Sequence, residues 1–431
     1  MYIQSLIKSL KPSRREHWMM LALLIYSLNG VLTYYLPAPI TNALMFLSAL
    51  TFIWTVLRNI SGFHTKGLTG VFYCVLILWS VCLTFHMFFI ADVRGTFETY
   101  NGLTTWLIAY FGSPMFLPNL VPFVILAYPR NYCFDFKYLW RVMWLMCILY
   151  ICYYPFSFWS MTHYSWSFDA GSIADFTAKG SYGGFISHST LGIASIAPVV
   201  IMVYFKKYLN TKYWKCFLIM YVGSIFMTAF MARRGGLAMS IMYLVFAWLM
   251  YSLNDRNTST IKMILMALVV VGLCYVLFTN MADSFFATLM ERGDENSRVG
   301  VEESFYGDMK STTDWTFGRG WFGRYYDPLF SNWRSAIETG YLALVLRGGL
   351  LYLIPYICCL FLTFFNGYFR SNNLFCKSFG LICLMQIISL YPYGWPAFNF
   401  FHFIIWLGVW VCNHEAVRKM TDQQILSSYF K

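Results

Sequence analysis

Charge is scarce in this chain. Only 12% of its 431 residues are charged, about half the share of an ordinary soluble domain. That excludes a water-soluble globular protein. Acidic residues are the rarer sign, 19 against 31 Lys and Arg. No G-x-x-x-x-G-K-[ST] motif occurs, so no phosphate-loop ATP engine is encoded. G-x-S-x-G, H-E-x-x-H and Cys/His clusters are also missing, as are D-x-D pairs in the segments read below as outer loops. Any reaction here is therefore expected to run without bound nucleotide, metal or other cofactor. The 12 cysteines show neither a disulfide framework nor metal spacing. They read as small apolar packing residues. There is no internal repeat and no low-complexity tract.

Apolar residues fill what is left. They make up 59% of the chain, and aromatics alone 21%. Trp and Tyr at that density suit a protein that anchors at two membrane interfaces. A membrane-spanning helix needs about 20 predominantly apolar residues. Twelve runs qualify: about 18–36, 40–57, 69–91, 103–127, 139–158, 187–205, 214–231, 236–252, 261–282, 341–365, 376–393 and 397–413. The fourth is interrupted by Gly112, Ser113 and Pro114, which predicts a kink. Basic residues 1–17 precede the first run with no small-residue cleavage site after it, so that run reads as a retained span. The expected fold is an all-α polytopic membrane protein of about twelve helices.

Lys and Arg set its sidedness. Lys8, Lys11, Arg58, Lys66, Arg130, Lys206, Lys207, Arg256 and Arg370 fall on one side, which the positive-inside rule makes cytoplasmic. Both termini, 1–17 and 414–431, join them. The basic residues of the other side are nearly all Arg, a bias that topology does not require. A bidentate grip on phosphate or carboxylate does require it. Two outer loops stand out, a smaller one at about 159–186 and a large one at 283–338 between spans nine and ten. Spans one to nine occupy 18–282 and spans ten to twelve 339–413. A net charge of +12 needs no nucleic-acid partner in such a chain.

Five outer stretches carry candidate chemistry. In MARRGGLAMS, Arg233 and Arg234 stand at a helix start, where the helix dipole disfavours cations. An anionic ligand would explain them. Lipid phosphates are the alternative partner. MERGDENSRVGVEESFYGD holds Arg292 and Arg298 in a charge-dense, helix-like stretch, which a solvated face also explains. DWTFGRGWFGRYYDP sets Arg319, Trp321, Arg324 and Tyr325 among three glycines. Aromatic faces cover sugar CH groups and Arg binds an anion, so this stretch suits a sugar or a diphosphate. A headgroup-belt segment is the alternative. Arg334, Glu338 and Tyr341 share a face if their segment is helical, and Glu338 can act as a general base. Arg347 lies inside an apolar run, where a charge is functional by default. His188, in ISHSTLG, begins the sixth span at the same side as a substrate-binding candidate.

In order, spacing and sidedness these stretches resemble the O-antigen polymerase and O-antigen ligase superfamily. RRGGLAMS resembles its S-R-G stretch, with Arg234 in the Arg position and Arg233 where Ser is usual. Arg298 and GRGWFGRYY resemble its loop Arg and G-x-G segment. Glu338-Thr339-Gly340-Tyr341-Leu342 resembles the D/E-x-G-Y-L of many polymerases, where ligases carry a His motif. Gly348 and Gly349 stand where the family opens its next span.

The resemblance implies a polysaccharide polymerase of the bacterial inner membrane that faces the periplasm. Its substrates would be polyprenyl-diphosphate-linked glycans in membrane lipid, with a chain-length regulator as protein partner. It implies Glu338 as catalytic base. Arg233, Arg234, Arg298, Arg319 and Arg324 would bind diphosphate, and His188, Arg292, Trp321, Tyr325, Arg334, Tyr341 and Arg347 would bind the rest of the substrate. A ligase that moves polymer onto lipid A core, and a lipid-linked oligosaccharide flippase, are the alternatives.

Overall fold

Long apolar runs become helices, because in a bilayer a backbone amide has no partner but its own chain. The computed structural model describes residues 14–32, 36–60, 67–89, 117–127, 135–143, 145, 221, 241–245, 298–328, 331–335, 337, 339–391, 396 and 398–430. They form two units, one of Met1–Asn29, Ala38–Leu139 and Ser297–Lys431, the other of Gly30–Pro37 and Trp140–Asn296. In the second unit Tyr221 and residues 241–245 are helical, with Tyr221 and Tyr243 buried.

The first unit holds most of the described chain. Helix α1 is Arg15–Leu32, α2 Ala38–Arg58 and α3 Leu68–Phe89. Among the described residues, three helical stretches are long and apolar enough to cross a membrane: Pro39–Arg58, Leu68–His86 and Leu350–Phe369. At 1.5 Å per residue each spans about 30 Å, the thickness of a hydrocarbon core. This is a helical membrane protein. The expected runs at 187–205 and 261–282 lie outside the described residues. Those at 139–158, 214–231 and 236–252 are described only in fragments.

Two expected spans differ in detail. The described part of the run at 103–127 is a 3-10 helix, Leu117–Ala127, with Pro122 inside it. Proline has no amide hydrogen and clashes with the preceding turn, which works against an α-helix there. The run at 341–365 is two helices, α6 at Gly340–Gly348 and α7 at Leu350–Phe369. Gly349 separates them with φ at 64°, a conformation that side chains disfavour. The long helix thus begins nine residues later than the hydropathy run.

Helices α8, Leu374–Ser389, and α9, Phe400–Asn413, complete the group. Asparagines start both. The Asn373 side chain accepts from the Cys376 amide at 2.7 Å, and that of Asn399 from the His402 amide at 3.0 Å. Glycines let α7, α8 and α9 approach closely. A Cβ on Gly367 would lie 2.7 Å from both the Cys376 carbonyl and the Cys412 sulfur. The C-terminal segment is folded onto this group as α10, Glu415–Lys419, and α11, Asp422–Tyr429. Asn373 Nδ2 donates to the Val417 and Met420 carbonyls at 2.8 and 2.9 Å.

The described part of residues 283–338 is itself folded. It carries α4, Arg298–Asp308, and α5, Thr312–Phe317. A hairpin follows, β1 at Tyr325–Asp327 and β2 at Asn332–Arg334, antiparallel with Tyr326 opposite Trp333. Phe305, Met309, Tyr325 and Ile337 from this region pack with Leu342, Ala343, Val345 and Leu346 of α6. The loop module and α6 therefore share one small core.

Candidate functional site

A helix leaves its last four carbonyls without partners in the helix. In α6 the chain supplies partners from two other places. Gly349 N–H donates to the Val345 carbonyl at 2.8 Å, Arg319 N–H to Leu346 at 2.7 Å, and Gly320 N–H to Arg347 at 2.9 Å. The Gly348 carbonyl accepts from Trp79 Nε1, on α3, at 2.7 Å. The Gly318-Arg319-Gly320 stretch is thus a backbone clamp over the end of α6.

Its glycines follow from that geometry. Gly318 and Gly320 have φ of 75° and 83°. A Cβ on Gly318 would lie 2.5 Å from the Gly349 nitrogen and 2.7 Å from the Arg347 carbonyl oxygen. One on Gly349 would collide with the Thr316 backbone. Two chains cross here at a distance only glycine permits.

The side chains between those glycines fix the clamp. Arg319 is paired with Asp308 at the end of α4, and with Asp314 on α5 at 2.7 Å. It also donates to the Arg324 carbonyl at 2.9 Å. Burial by itself would lower the Arg319 pKa. The two carboxylates outweigh it and raise the pKa above the ordinary value. Trp321, 1% exposed, donates from Nε1 to Thr84 Oγ1 of α3 at 3.0 Å. From its ring an aromatic column runs to Tyr352, Tyr356 and Trp406, with centroids 5.4 to 6.3 Å apart at each step.

The hairpin carries a second ion pair. Arg334 Nη1 donates to the buried Asp327 at 2.8 Å, and the other carboxylate oxygen accepts from Ser304 of α4 at 3.2 Å. Residues 332–334 are strand, so the helical face expected for Arg334, Glu338 and Tyr341 is not formed. Strand alternation also corrects an expectation. Tyr325 is fully buried against Phe305, whereas Tyr326 is 39% exposed. The outward residue is the next one along, the usual consequence of a two-residue period.

Compared with protein-family models, curated proteins and solved structures, this chain matches none.

The remaining candidates are distributed as follows. His188, Arg233, Arg234, Arg292 and Glu338 lie outside the described residues. Arg298 opens α4. Tyr341 donates to the Ile387 carbonyl at 2.6 Å, joining α6 to α8. Arg347 is 3% exposed within α6, directly beneath the clamp. Thr339, next to Glu338, donates to the Glu302 carboxylate of α4. The segment that bears the proposed base is therefore tied at its next residue to the loop module.

Three residues outside the predicted set complete the exposed face. Glu303 of α4 and Tyr326 of β1 line a groove of about 380 Å³ with Gly300, Ser304 and Asp308. Trp333, 40% exposed, stands edge-on to Tyr326 with ring centroids 5.6 Å apart. The signal that could have found Tyr326 and Trp333 is strand parity in YYD and NWR. Among the described residues no group of His, Cys, Asp and Glu has the arrangement to hold a metal ion.

Proposed function

We propose that this protein polymerises polyprenyl-diphosphate-linked oligosaccharide repeat units at the periplasmic face of the bacterial inner membrane. The observation that carries the reading is a folded loop module whose carboxylate- and aromatic-lined groove is tied through α6 to the membrane helix that follows. Such a groove suits a sugar, and Thr339, the residue before α6, is bonded to Glu302 of α4, the helix that lines the groove.

The chemistry is a glycosyl transfer. An acceptor hydroxyl oxygen attacks the anomeric carbon of the donor sugar, and Glu338 takes the hydroxyl proton. The bond from that carbon to the diphosphate oxygen breaks. Polyprenyl diphosphate leaves with the bonding electrons. The donor bond supplies the driving force, so the step consumes no ATP. Arg233, Arg234 and Arg298 stabilise the negative charge that develops on the diphosphate, with Arg324 beside the clamp as a fourth cation. Arg319, held by Asp308 and Asp314, is assigned to the scaffold. Attack opposite the leaving group inverts the anomeric centre.

A deletion strain tests this on a polysaccharide gel. A polymerase deletion leaves a single repeat unit on the lipid acceptor. A ligase deletion leaves none, with polymer retained on the carrier. A flippase deletion also leaves none, with single units held inside the cell. Arg234→Ala, Arg298→Ala and Glu338→Ala should each reproduce the single-unit phenotype. Full ladders from all three would remove the site as drawn.

A further inference from the structure

The groove between α4 and β1 has features that the fold itself does not explain. Its volume, about 380 Å³, lies within the range of small-molecule sites, about 300–1,000 Å³. Gly300 and Gly307 are seven residues apart on α4 and both line it. Glycine inside a helix is destabilising relative to alanine. A Cβ on Gly307 would meet nothing within 4 Å. No internal packing requires glycine there, but the close approach of a ligand would.

The polar groups of the groove fall into two sets. Ser304 and Asp308 are engaged within the fold, by Asp327 and by Arg319. Glu303 and the Tyr326 hydroxyl have no hydrogen-bond partner among the described residues. Both lie on the same groove, an acceptor carboxylate beside an exposed ring. The Tyr326 and Trp333 rings meet at 66°, forming a corner with two aromatic faces. A pyranose ring presents this combination: an apolar CH face for an aromatic ring, and equatorial hydroxyls that donate to a carboxylate. The carboxylates of Glu303 and Asp308 disfavour an anionic sugar, because only Asp308 has a neutralising cation within the module.

We propose that this groove is a saccharide-binding subsite that takes a non-anionic pyranose of the acceptor glycan. Tyr326 and Trp333 supply the stacking faces, and Glu303 accepts from the sugar hydroxyls. The identity of that glycan as the acceptor rests on the polymerase reading above. Saccharide binding as such does not. The hairpin is already joined to α4 by the Ser304–Asp327 bond and by the Tyr326 amide on Asp308. Little ordering cost then falls on the sugar.

The test uses the full chain in lipid nanodiscs and saturation-transfer NMR. The probe is the neutral oligosaccharide repeat released by mild acid from the surface polysaccharide of the host cell. Wild type should show transfer to the sugar ring protons. Tyr326→Ala should weaken binding at least tenfold, Trp333→Ala and Glu303→Gln about fivefold each. Tyr306→Ala removes another exposed tyrosine of α4, outside the groove lining, and should bind like wild type. Wild-type binding by both Tyr326→Ala and Trp333→Ala would overturn the subsite, as would equal loss from Tyr306→Ala. Tighter binding of a uronate-bearing repeat than of the neutral one would overturn the charge assignment.

The two proposals fail separately. A deletion strain with a normal ladder, alongside oligosaccharide binding lost in Tyr326→Ala, sinks the polymerase reading and leaves the subsite. A single-unit ladder, alongside intact binding in Tyr326→Ala and Trp333→Ala, sinks the subsite and leaves the polymerase.

Discussion

The Gly320 amide donates to the Arg347 carbonyl across 2.9 Å. That bond joins the middle of a glycine-rich loop to the end of a short helix that runs straight into a membrane span. With the Arg319 amide on Leu346 and Trp79 on Gly348, it turns the loop module, α6 and α3 into one mechanical piece. Thr339, just before α6, is in turn bonded to Glu302 of α4.

The clamp predicts a ranking among glycines. Gly67→Ala and Gly320→Ala place alanine at φ of 75° and 83° with no atom nearer than 3.8 Å. Each should cost about 1–2 kcal/mol, the penalty of the left-handed region. Gly318→Ala and Gly349→Ala add a backbone collision to that penalty. They should cost about 3 kcal/mol or more and separate the loop from α6. Thermal melts of the four variants in one detergent decide the matter. Equal losses would mean the crossing is not as tight as described.

Trp79→Phe isolates the indole hydrogen bond. A phenyl ring retains the contact with Phe317, now 5.7 Å between centroids, but leaves the Gly348 carbonyl without its donor. The expected loss is about 1–2 kcal/mol, measured by the same melts. A variant as stable as wild type would show that another group replaces the indole.

Much of this arrangement was legible in the sequence, and its limits have physical causes. Hydropathy placed α2, α3 and α7 because burial in lipid is a one-dimensional property of composition. It ran α6 and α7 together because Gly349 is apolar enough to pass within a hydrophobic window. The backbone that leaves no room for a side chain there is Thr316, which is 33 residues earlier in the chain. The glycines of GRGWFGR suit a ligand in sequence, which does not reveal that a distant helix end needs capping. A three-residue strand carries too few positions to display the alternation that buries Tyr325 and exposes Tyr326. Glu303 sits on a charge-dense helix face, a pattern that is ordinarily solvated.

Asp135 gives a pH test away from the groove. It accepts from the Tyr138 amide at 3.0 Å as the cap of a helix covering 136–143, and lies 3.2 Å from His17 Nε2. Burial raises its pKa, but the hydrogen bonds from His17 and Tyr138 outweigh that and hold it below the ordinary carboxylate value. A lowered folded pKa means the ionised form is stabilising. The contribution is complete above the unfolded pKa, about 4, and is lost as pH falls through the folded value. Its side chain is 24% exposed, so solvent limits the effect to about 1 kcal/mol or less. Asp135→Asn retains the cap oxygen and removes the charge. Its deficit against wild type should be present at pH 6 and shrink below about pH 4. A deficit that stays constant with pH would assign Asp135 to capping alone.

The Arg334–Asp327 pair predicts an asymmetry. Asp327 is fully buried, whereas the Arg334 side chain is 33% exposed. Removing the arginine leaves a buried carboxylate without its cation. Removing the carboxylate charge leaves an arginine that water can reach. Arg334→Ala should therefore cost about 2–4 kcal/mol, and Asp327→Asn, which retains an acceptor oxygen for Arg334 and turns its amide to donate to Ser304 Oγ, about 1 kcal/mol. Partial exposure of Arg334 places the first figure below the full cost of breaking a buried pair. The double variant Arg334→Ala/Asp327→Asn should recover stability relative to Arg334→Ala alone, because the stranded charge is gone. Recovery in a double-mutant cycle of melts is the signature of that buried carboxylate. Additive losses would show instead that Asp327 is neutralised by other contacts and that Arg334 serves the hairpin only through packing.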